Sequence, residues 1–329
     1  MRYRRRVQIV GGSTYVVSLP KEWVRDTGLK HGSEVVIEVM PDLTLRIYSG
    51  DKGSERFELE TELEVSDDFE LSVAMLIASY VVGYRKLTIA CGGCSPDKLE
   101  ALVKRVTEIT IGLEVIEKSE RYAVLRCLAD VSTLSLAEAL NTLTRLTIRS
   151  FDDVEHVISA GDLNRVDEVL ERDSLIDKLY LYGLRQLNEV LLGMTNYASV
   201  GLGSVAEVTY WAMIFRFLER IADHLATIAK NIKELRHADP ATLLKYIKSL
   251  RSKYDEVTKN LLLKQKTEDL SKFGVLISEL RGFEAEVGRD SATLGISAED
   301  LIRISAHLRD IIELLIDMHA LKKLLAEAT

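Results

Sequence analysis

The sequence has 329 residues, a formal net charge of −8 at pH 7, 47% hydrophobic and 6% aromatic residues, and only 4 prolines. That length allows two or three domains with buried cores, and a chain rich in Leu, Ala, Glu and Lys but poor in proline favours helices. The longest apolar segment, Leu71 to Tyr84, is too short to span a bilayer. Three cysteines (Cys91, Cys94, Cys127) exclude a disulfide framework and agree with a reducing compartment.

Charge is divided unevenly along the chain. Residues 1–50 carry a net +3 and the remainder a net −11. Arg2, Arg4, Arg5 and Arg6 concentrate the basic charge at the start, ahead of two short β-branched runs, Val7–Val10 and Tyr15–Leu19. Gly11-Gly12-Ser13 between them is a hairpin signal. A helical turn or two is predicted from Pro20-Lys21-Glu22-Trp23-Val24, with proline at a first-turn position where its missing N–H costs little, and Gly28 as the stop. Two strands follow, Glu34–Val39 and Leu43–Ile47, the second after a Pro41-Asp42 turn. This β-β-α-β-β module offers too little surface to bury a core alone, which predicts obligate dimerisation through residues 1–50. A basic cluster on a β-rich module of an otherwise acidic chain points to a polyanion, DNA above all, with a solvated basic tail as the alternative.

Ser-Leu-Pro-Lys-Glu-Trp-Val and Gly-Leu-Lys-His-Gly-Ser-Glu-Val, within 18–35, resemble the swapped-hairpin module of the AbrB/SpoVT/MraZ transcription-factor superfamily. The resemblance implies a small all-β swapped-hairpin barrel shared by two chains. It also implies a DNA-facing set of Arg4, Arg5 and Arg6, with Lys21 and Arg25 behind them. Some relatives use the module only to dimerise.

The middle segment, 51–131, is predicted as a small α+β linker domain. Asp67-Asp68 begin an apolar helix that runs to about Val82 and stops at Gly83, and Arg85–Ala90 forms a strand. Ser95-Pro96-Asp97 start a second helix to Ile111, and Glu114–Glu117 with Tyr122–Leu128 form a hairpin. The order α-β-α-β-β suggests an open fold, with a ferredoxin-like arrangement as one form of it. Cys91-Gly92-Gly93-Cys94 could be redox-active or half of a zinc site. No second cysteine or histidine pair lies nearby, which favours a glycine loop with two incidental thiols.

From Leu134 onward the pattern is helical, with helices predicted at 136–160, 162–194, 205–235, 240–265, 268–287 and 297–327. These make two three-helix sets, 132–237 and 238–329. Leu218-Glu219-Arg220-Ile221-Ala222-Asp223-His224-Leu225 matches Leu301-Ile302-Arg303-Ile304-Ser305-Ala306-His307-Leu308, which argues for an internal duplication. Asp173 and Asp177 are four apart on the apolar face of one helix. Glu219 and Asp223 are four apart on the next, along the edge of a seam of Trp211, Phe215, Leu218, Ala222, Leu225, Ala229 and Ile232. Half-burying four carboxylates is costly without a cation, and oxygen ligands on facing helices are how bundles hold Fe, Mn or Mg. The alternative is that lysine or arginine side chains neutralise them. His224, one residue beyond Asp223, ranks below the acids as a metal ligand because it points about 100° away on a helix.

Arg172-Asp173-Ser-Leu-Ile-Asp177-Lys178 followed by Glu219-Arg-Ile-Ala-Asp223-His224 resembles the signatures of the PhoU family. That family's members are duplicated three-helix bundles that bind metal clusters and regulate phosphate uptake. In the second repeat Ile302 and Ala306 replace the acids, so no metal is expected there. The combination is similar to archaeal-type phosphate uptake regulators. It implies a dimeric, DNA-binding, cytoplasmic regulator that is not an enzyme, binds a divalent metal and no organic cofactor, and does not insert in a membrane. The alternative implied is an accessory protein that controls a phosphate transporter or sensor kinase, with the barrel used only to dimerise.

Overall fold

The computed structural model describes residues 3–39, 44–49, 59–129, 133–234, 239–262 and 271–328. The predicted Pro41-Asp42 turn, the start of the strand at Leu43, the helix ends at 235, 265 and 268, and the three predicted domain boundaries lie outside these residues. The chain divides into two compact units, Met1–Glu55 with Leu324–Thr329, and Arg56–Lys323.

In the first unit, β1 (Gln8–Val10) pairs antiparallel with β2 (Thr14–Val16), and Gly11 and Gly12 take the positive φ that the tight turn demands. Helix α1 (Lys21–Asp26) follows Pro20, and its end is closed by backbone bonds from Thr27. β3 (Val35–Val39) pairs antiparallel with β4 (Leu45–Ser49). The single chain therefore carries two separate hairpins and a helix, and among the described residues no closed barrel. The reason is visible in the burial pattern: every residue of β1 and β2 is exposed, and Val7, Ile9 and Tyr15 are 66%, 61% and 74% accessible.

The second unit opens with a four-stranded sheet of order β5-β6-β8-β7. β5 (Glu60–Glu64) runs parallel to β6 (Lys86–Ala90), with α2 (Phe69–Val82) crossing between them. β8 (Tyr122–Cys127) is antiparallel to both β6 and β7 (Leu113–Lys118), and α3 (Pro96–Ile109) links β6 to β7. The sheet is mixed, which rules out a ferredoxin-like arrangement, and it holds one strand more than predicted. β5 reads Glu-Thr-Glu-Leu-Glu; acidic residues are poor strand formers, but their alternation keeps them outward on an edge strand. Capping follows expectation. Asp68 accepts the Leu71 N–H, Gly83 closes α2 at φ 113, and Ser95 accepts the Lys98 N–H.

The remaining helices are α4 (Leu136–Ala160), α5 (Asn164–Leu191), α6 (Glu207–Lys233), α7 (Pro240–Asp255, continued by a π-helical segment, Glu256–Leu262), α8 (Ser271–Arg289), the single turn α9 (Ser291–Leu294) and α10 (Ser297–Ala328). A reciprocal Ser135–Glu138 capping box starts α4. The predicted seam of α6 is the buried one, except that Ile232 is only half-buried. Among the described residues no helix is long and apolar enough to cross a membrane.

The sheet domain is locked to the bundle by α5. Arg185, 1% exposed, donates from its guanidinium to the carbonyls of Tyr80, Gly83 and Tyr84 at 2.5, 3.1 and 2.9 Å, and pairs with Glu189 at 3.2 Å. Those carbonyls lie where α2 ends; the Tyr80 carbonyl also accepts the Gly83 N–H at 3.1 Å, and the guanidinium adds a charged donor to all three. Asn188 on the same helix donates to the Val81 carbonyl, and the guanidinium lies over the Tyr80 ring. Replacing Arg185 by leucine removes a donor from all three carbonyls and leaves Glu189 with the Thr195 hydroxyl at 3.4 Å and the more distant Arg85 at 3.7 Å. The loss in unfolding free energy should be about 3–5 kcal/mol, measured by urea denaturation of the full chain; a loss below about 1 kcal/mol would show that the lock is not structural.

Candidate metal centre

Asp173 and Asp177 sit one turn apart on α5, a helix whose inner face buries Val166, Val169, Ile176 and Leu179. Asp223 sits on α6 directly after the buried Ile221 and Ala222. The packing of α5 on α6 brings the three carboxylates together, with one oxygen of each lying within 4.8 Å of the others. Glu219 is not in this group. Among the described residues it is the one group of three or more His, Cys, Asp or Glu side chains spaced to hold a metal ion.

The environment disfavours charge on these acids. Burial, then the Asp177 and Asp223 carboxylates, push the Asp173 carboxyl up to about 7. Asp177 is raised by burial and by Asp223, against the pull of Arg216, Arg220 and Arg105. Glu219, 7% exposed, is raised to about 7 by burial and by Asp223. One oxygen of Asp173 is buried with no hydrogen-bond partner. An orphaned buried carboxylate oxygen among like charges fits a hard divalent cation, which prefers oxygen ligands.

Two of the predicted ligands are placed differently. Arg216 Nη1 lies 3.1 Å and Arg220 Nε 3.7 Å from Glu219, whose Oε2 is buried without a hydrogen-bond partner, so arginine offsets its charge only in part. Asp223 shares Arg220, at 2.7 Å, and keeps its place in the triad. His224 is directed elsewhere. Its Nδ1 lies 2.9 Å from an Asp300 oxygen on α10, and its ring stacks on that of His307 at 5.7 Å. The step of one residue beyond Asp223 turns the imidazole away from the acids and onto the second repeat. His224 is therefore removed from the ligand set by its geometry.

The corresponding face of α10 carries no such cluster. Ile302 and Ala306 stand where Glu219 and Asp223 stand in α6, and Glu284 of α8 is engaged by Ser305 and by Arg309 at 3.0 and 2.9 Å. Arg105 was not anticipated as part of the site. It reaches the field of Asp177 from α3, an element of the sheet domain, and no spacing along the chain announces that proximity.

In the first unit, Arg4, Arg5 and Arg6 form an exposed extended segment ahead of β1, and Lys21 and Arg25 are exposed on α1. The Tyr3 hydroxyl donates to the Glu22 carboxylate on α1, which anchors the arginine segment to that helix. Arg25 itself is 3.0 Å from Asp26.

The fold and these sites define a helical acid-bearing bundle joined to a small basic β module. Residues 140–232 match the PhoU domain family, and residues 8–55 match the family described as antidote-toxin recognition MazE, bacterial antitoxin. The chain thus carries a PhoU-type domain within its helical region and, ahead of it, a small β module similar to the MazE/AbrB-like swapped-hairpin family. Asp173, Asp177, Glu219 and Asp223 all fall within the PhoU match, which ends before the second helical set. No curated protein matches the chain.

The raised carboxyls make stability depend on pH. Unfolded, these groups release their protons near pH 4, whereas in the fold Asp173 and Glu219 hold theirs to about 7. The stability this contributes is complete below the unfolded value and is lost as pH rises through about 7. The thermal midpoint of metal-free protein should therefore fall from pH 4.5 to 8, on the order of the range in which these acids titrate, and added Mn²⁺ at the upper end should raise it again. Asp173→Asn should flatten the pH dependence and abolish the Mn²⁺ effect; an unchanged response would place the ion elsewhere.

Proposed function

We propose that the protein is a dimeric regulator of phosphate uptake, cytoplasmic and without catalytic activity, whose acidic triad holds a divalent metal and whose N-terminal module contacts DNA. The PhoU domain carries the phosphate-homeostasis part of this reading. The observation that carries the metal is the convergence of Asp173, Asp177 and Asp223 about a buried, unpartnered carboxylate oxygen. Fe, Mn or Mg suits this all-oxygen set, and a hard cation so held has affinity for phosphate oxygens. On the protein side, Arg216 and Arg220 offset the surplus negative charge at the edge of the cluster.

Dimerisation is supported by the exposed apolar strands of the first unit. A second copy would cover Val7, Ile9, Tyr15, Ile37 and Leu45, which a single chain leaves open to water. DNA contact is supported by the exposed segment of Arg4, Arg5 and Arg6, held beside α1 with its Lys21 and Arg25. One observation favours the second reading, contact with a phosphate transporter or sensor kinase. The outer face of α2 is apolar, with Leu71, Met75 and Val82 respectively 50%, 39% and 42% accessible.

The two readings part in a DNA-binding titration against salt. Each phosphate contact contributes about 0.9 to the slope of log affinity against log salt. Replacing Arg4, Arg5 and Arg6 by alanine should weaken binding to duplex DNA and lower that slope by roughly one unit per removed contact and chain. Equal affinity and slope in the triple variant would favour the accessory reading. Genome-wide capture of DNA by the purified chain, with and without phosphate, then asks whether the bound sites respond to phosphate.

A further inference from the structure

The Cys91-Gly92-Gly93-Cys94 loop takes no part in the regulatory reading above. In the structure Cys91 and Cys94 are joined as a disulfide, which corrects the expectation of two incidental thiols. We propose that this pair is a redox-active site that exchanges with small thiols and dithiols, and that Cys94 is the sulfur through which exchange enters.

A structural role does not account for the bond. The stabilisation a disulfide gives by restricting the unfolded chain grows with the length of the loop it closes, and this loop encloses only two glycines. The turn is also held without it. The Gly92 N–H donates to the Glu64 carboxylate at 2.6 Å, and the Cys91 N–H to the Arg121 carbonyl at 2.8 Å. Ser95 caps α3, and Lys98 of that helix donates to the carbonyls of Ser66 and Asp67 at 2.9 and 2.8 Å. The loop is thus built to keep its shape when the sulfurs part, as a reversible couple requires.

Its place in the fold is an exposed, reactive one. The loop leaves the C-terminal end of β6, the strand at which the sheet turns from parallel pairing with β5 to antiparallel pairing with β8. Gly92, Gly93, Ser95 and Pro96 are exposed, and a side chain added at Gly93 would meet nothing within 4 Å. At Gly92, by contrast, a Cβ would lie 2.8 Å from the Glu64 oxygen, so the glycine lets that carboxylate close over the turn. Cys91 is 4% exposed, whereas Cys94 is only half-buried. Cys94 also sits directly before the cap of a 14-residue helix, whose positive end favours a thiolate. Cys127 is no partner to the pair. It is buried at the far end of β8, beside Arg126, which pairs with Lys86 at the start of β6.

The exchange balances as follows. A thiolate of an external dithiol attacks Cys94 Sγ, the Cys91–Cys94 bond breaks, and Cys91 leaves as a thiolate that takes a proton from water. The second thiolate of the dithiol attacks the external sulfur of the mixed disulfide and expels Cys94. The dithiol is oxidised to its disulfide, and the protein gains two electrons and two protons. In the reverse direction Cys94 attacks an external disulfide and Cys91 resolves the adduct.

The test uses the full chain at graded ratios of reduced to oxidised glutathione, trapped by acid, alkylated and mapped by peptide mass. Cys91 and Cys94 should pass together and reversibly from blocked to alkylated while the protein stays folded by circular dichroism. Alkylation at every ratio, or only after denaturation, overturns the proposal. So does stoichiometric zinc uptake by the reduced chain that is lost in Cys91→Ser. With oxidised glutathione, Cys91→Ser should form a single adduct at Cys94 at least about tenfold faster than Cys94→Ser forms one at Cys91, because exchange rates follow thiolate access. Equal rates would overturn Cys94 as the entry sulfur.

Discussion

A guanidinium placed where a helix ends holds the larger unit together. Arg185 enters the space beyond α2 and donates to the Gly83 and Tyr84 carbonyls and to that of Tyr80, which also accepts the Gly83 N–H. Burying such a charge is costly, and the cost is offset here by three carbonyl acceptors, the Glu189 carboxylate and the face of Tyr80. Tyr182 and Gln186, on the same stretch of α5, both donate to the Leu134 carbonyl ahead of α4. One helix therefore anchors the sheet domain and the entry to the bundle through its C-terminal half. Its N-terminal half is left to present Asp173 and Asp177.

Helices α6 and α10 share a sequence pattern yet differ in what their corresponding positions carry. In α6 the polar edge faces α5 and collects carboxylates. In α10 the matching positions are Ile302 and Ala306, and that helix meets α6 through paired histidines. His224 and His307, at corresponding positions of the two helices, stack on one another, and Phe217 also stacks on His307. The matched imidazoles thus form a contact between α6 and α10.

Much of this was legible along the chain because it depends on local rules. The caps at Asp68, Gly83 and Ser95, the seam of α6 and the one-turn spacing of Asp173 and Asp177 follow from short-range stereochemistry and periodicity. What escaped was set by partners distant in sequence. β5 is too acidic to announce itself as a strand and exists because β6 offers it an edge. His224 carries the residue type of a ligand, yet Asp300, distant along the chain on α10, engages it. The joining of Cys91 to Cys94 depends on how β6 delivers the loop to α3, and two cysteines in a row of four residues do not reveal it.

Gly183 lies on α5 between the acids and Arg185, and the ring of Phe215 on α6 occupies the space a side chain there would need. A Cβ would come within 2.6 Å of that ring. The spacing of the two helices near the carboxylates is therefore governed by an absent methyl group about 9 Å along the helix from Asp177. A wedge at 183 would act as a lever on the gap between Asp177 and Asp223 without altering a single oxygen donor. Preference among cations of different radius would then be tuned from the hydrophobic seam, by a position that no inventory of ligands contains.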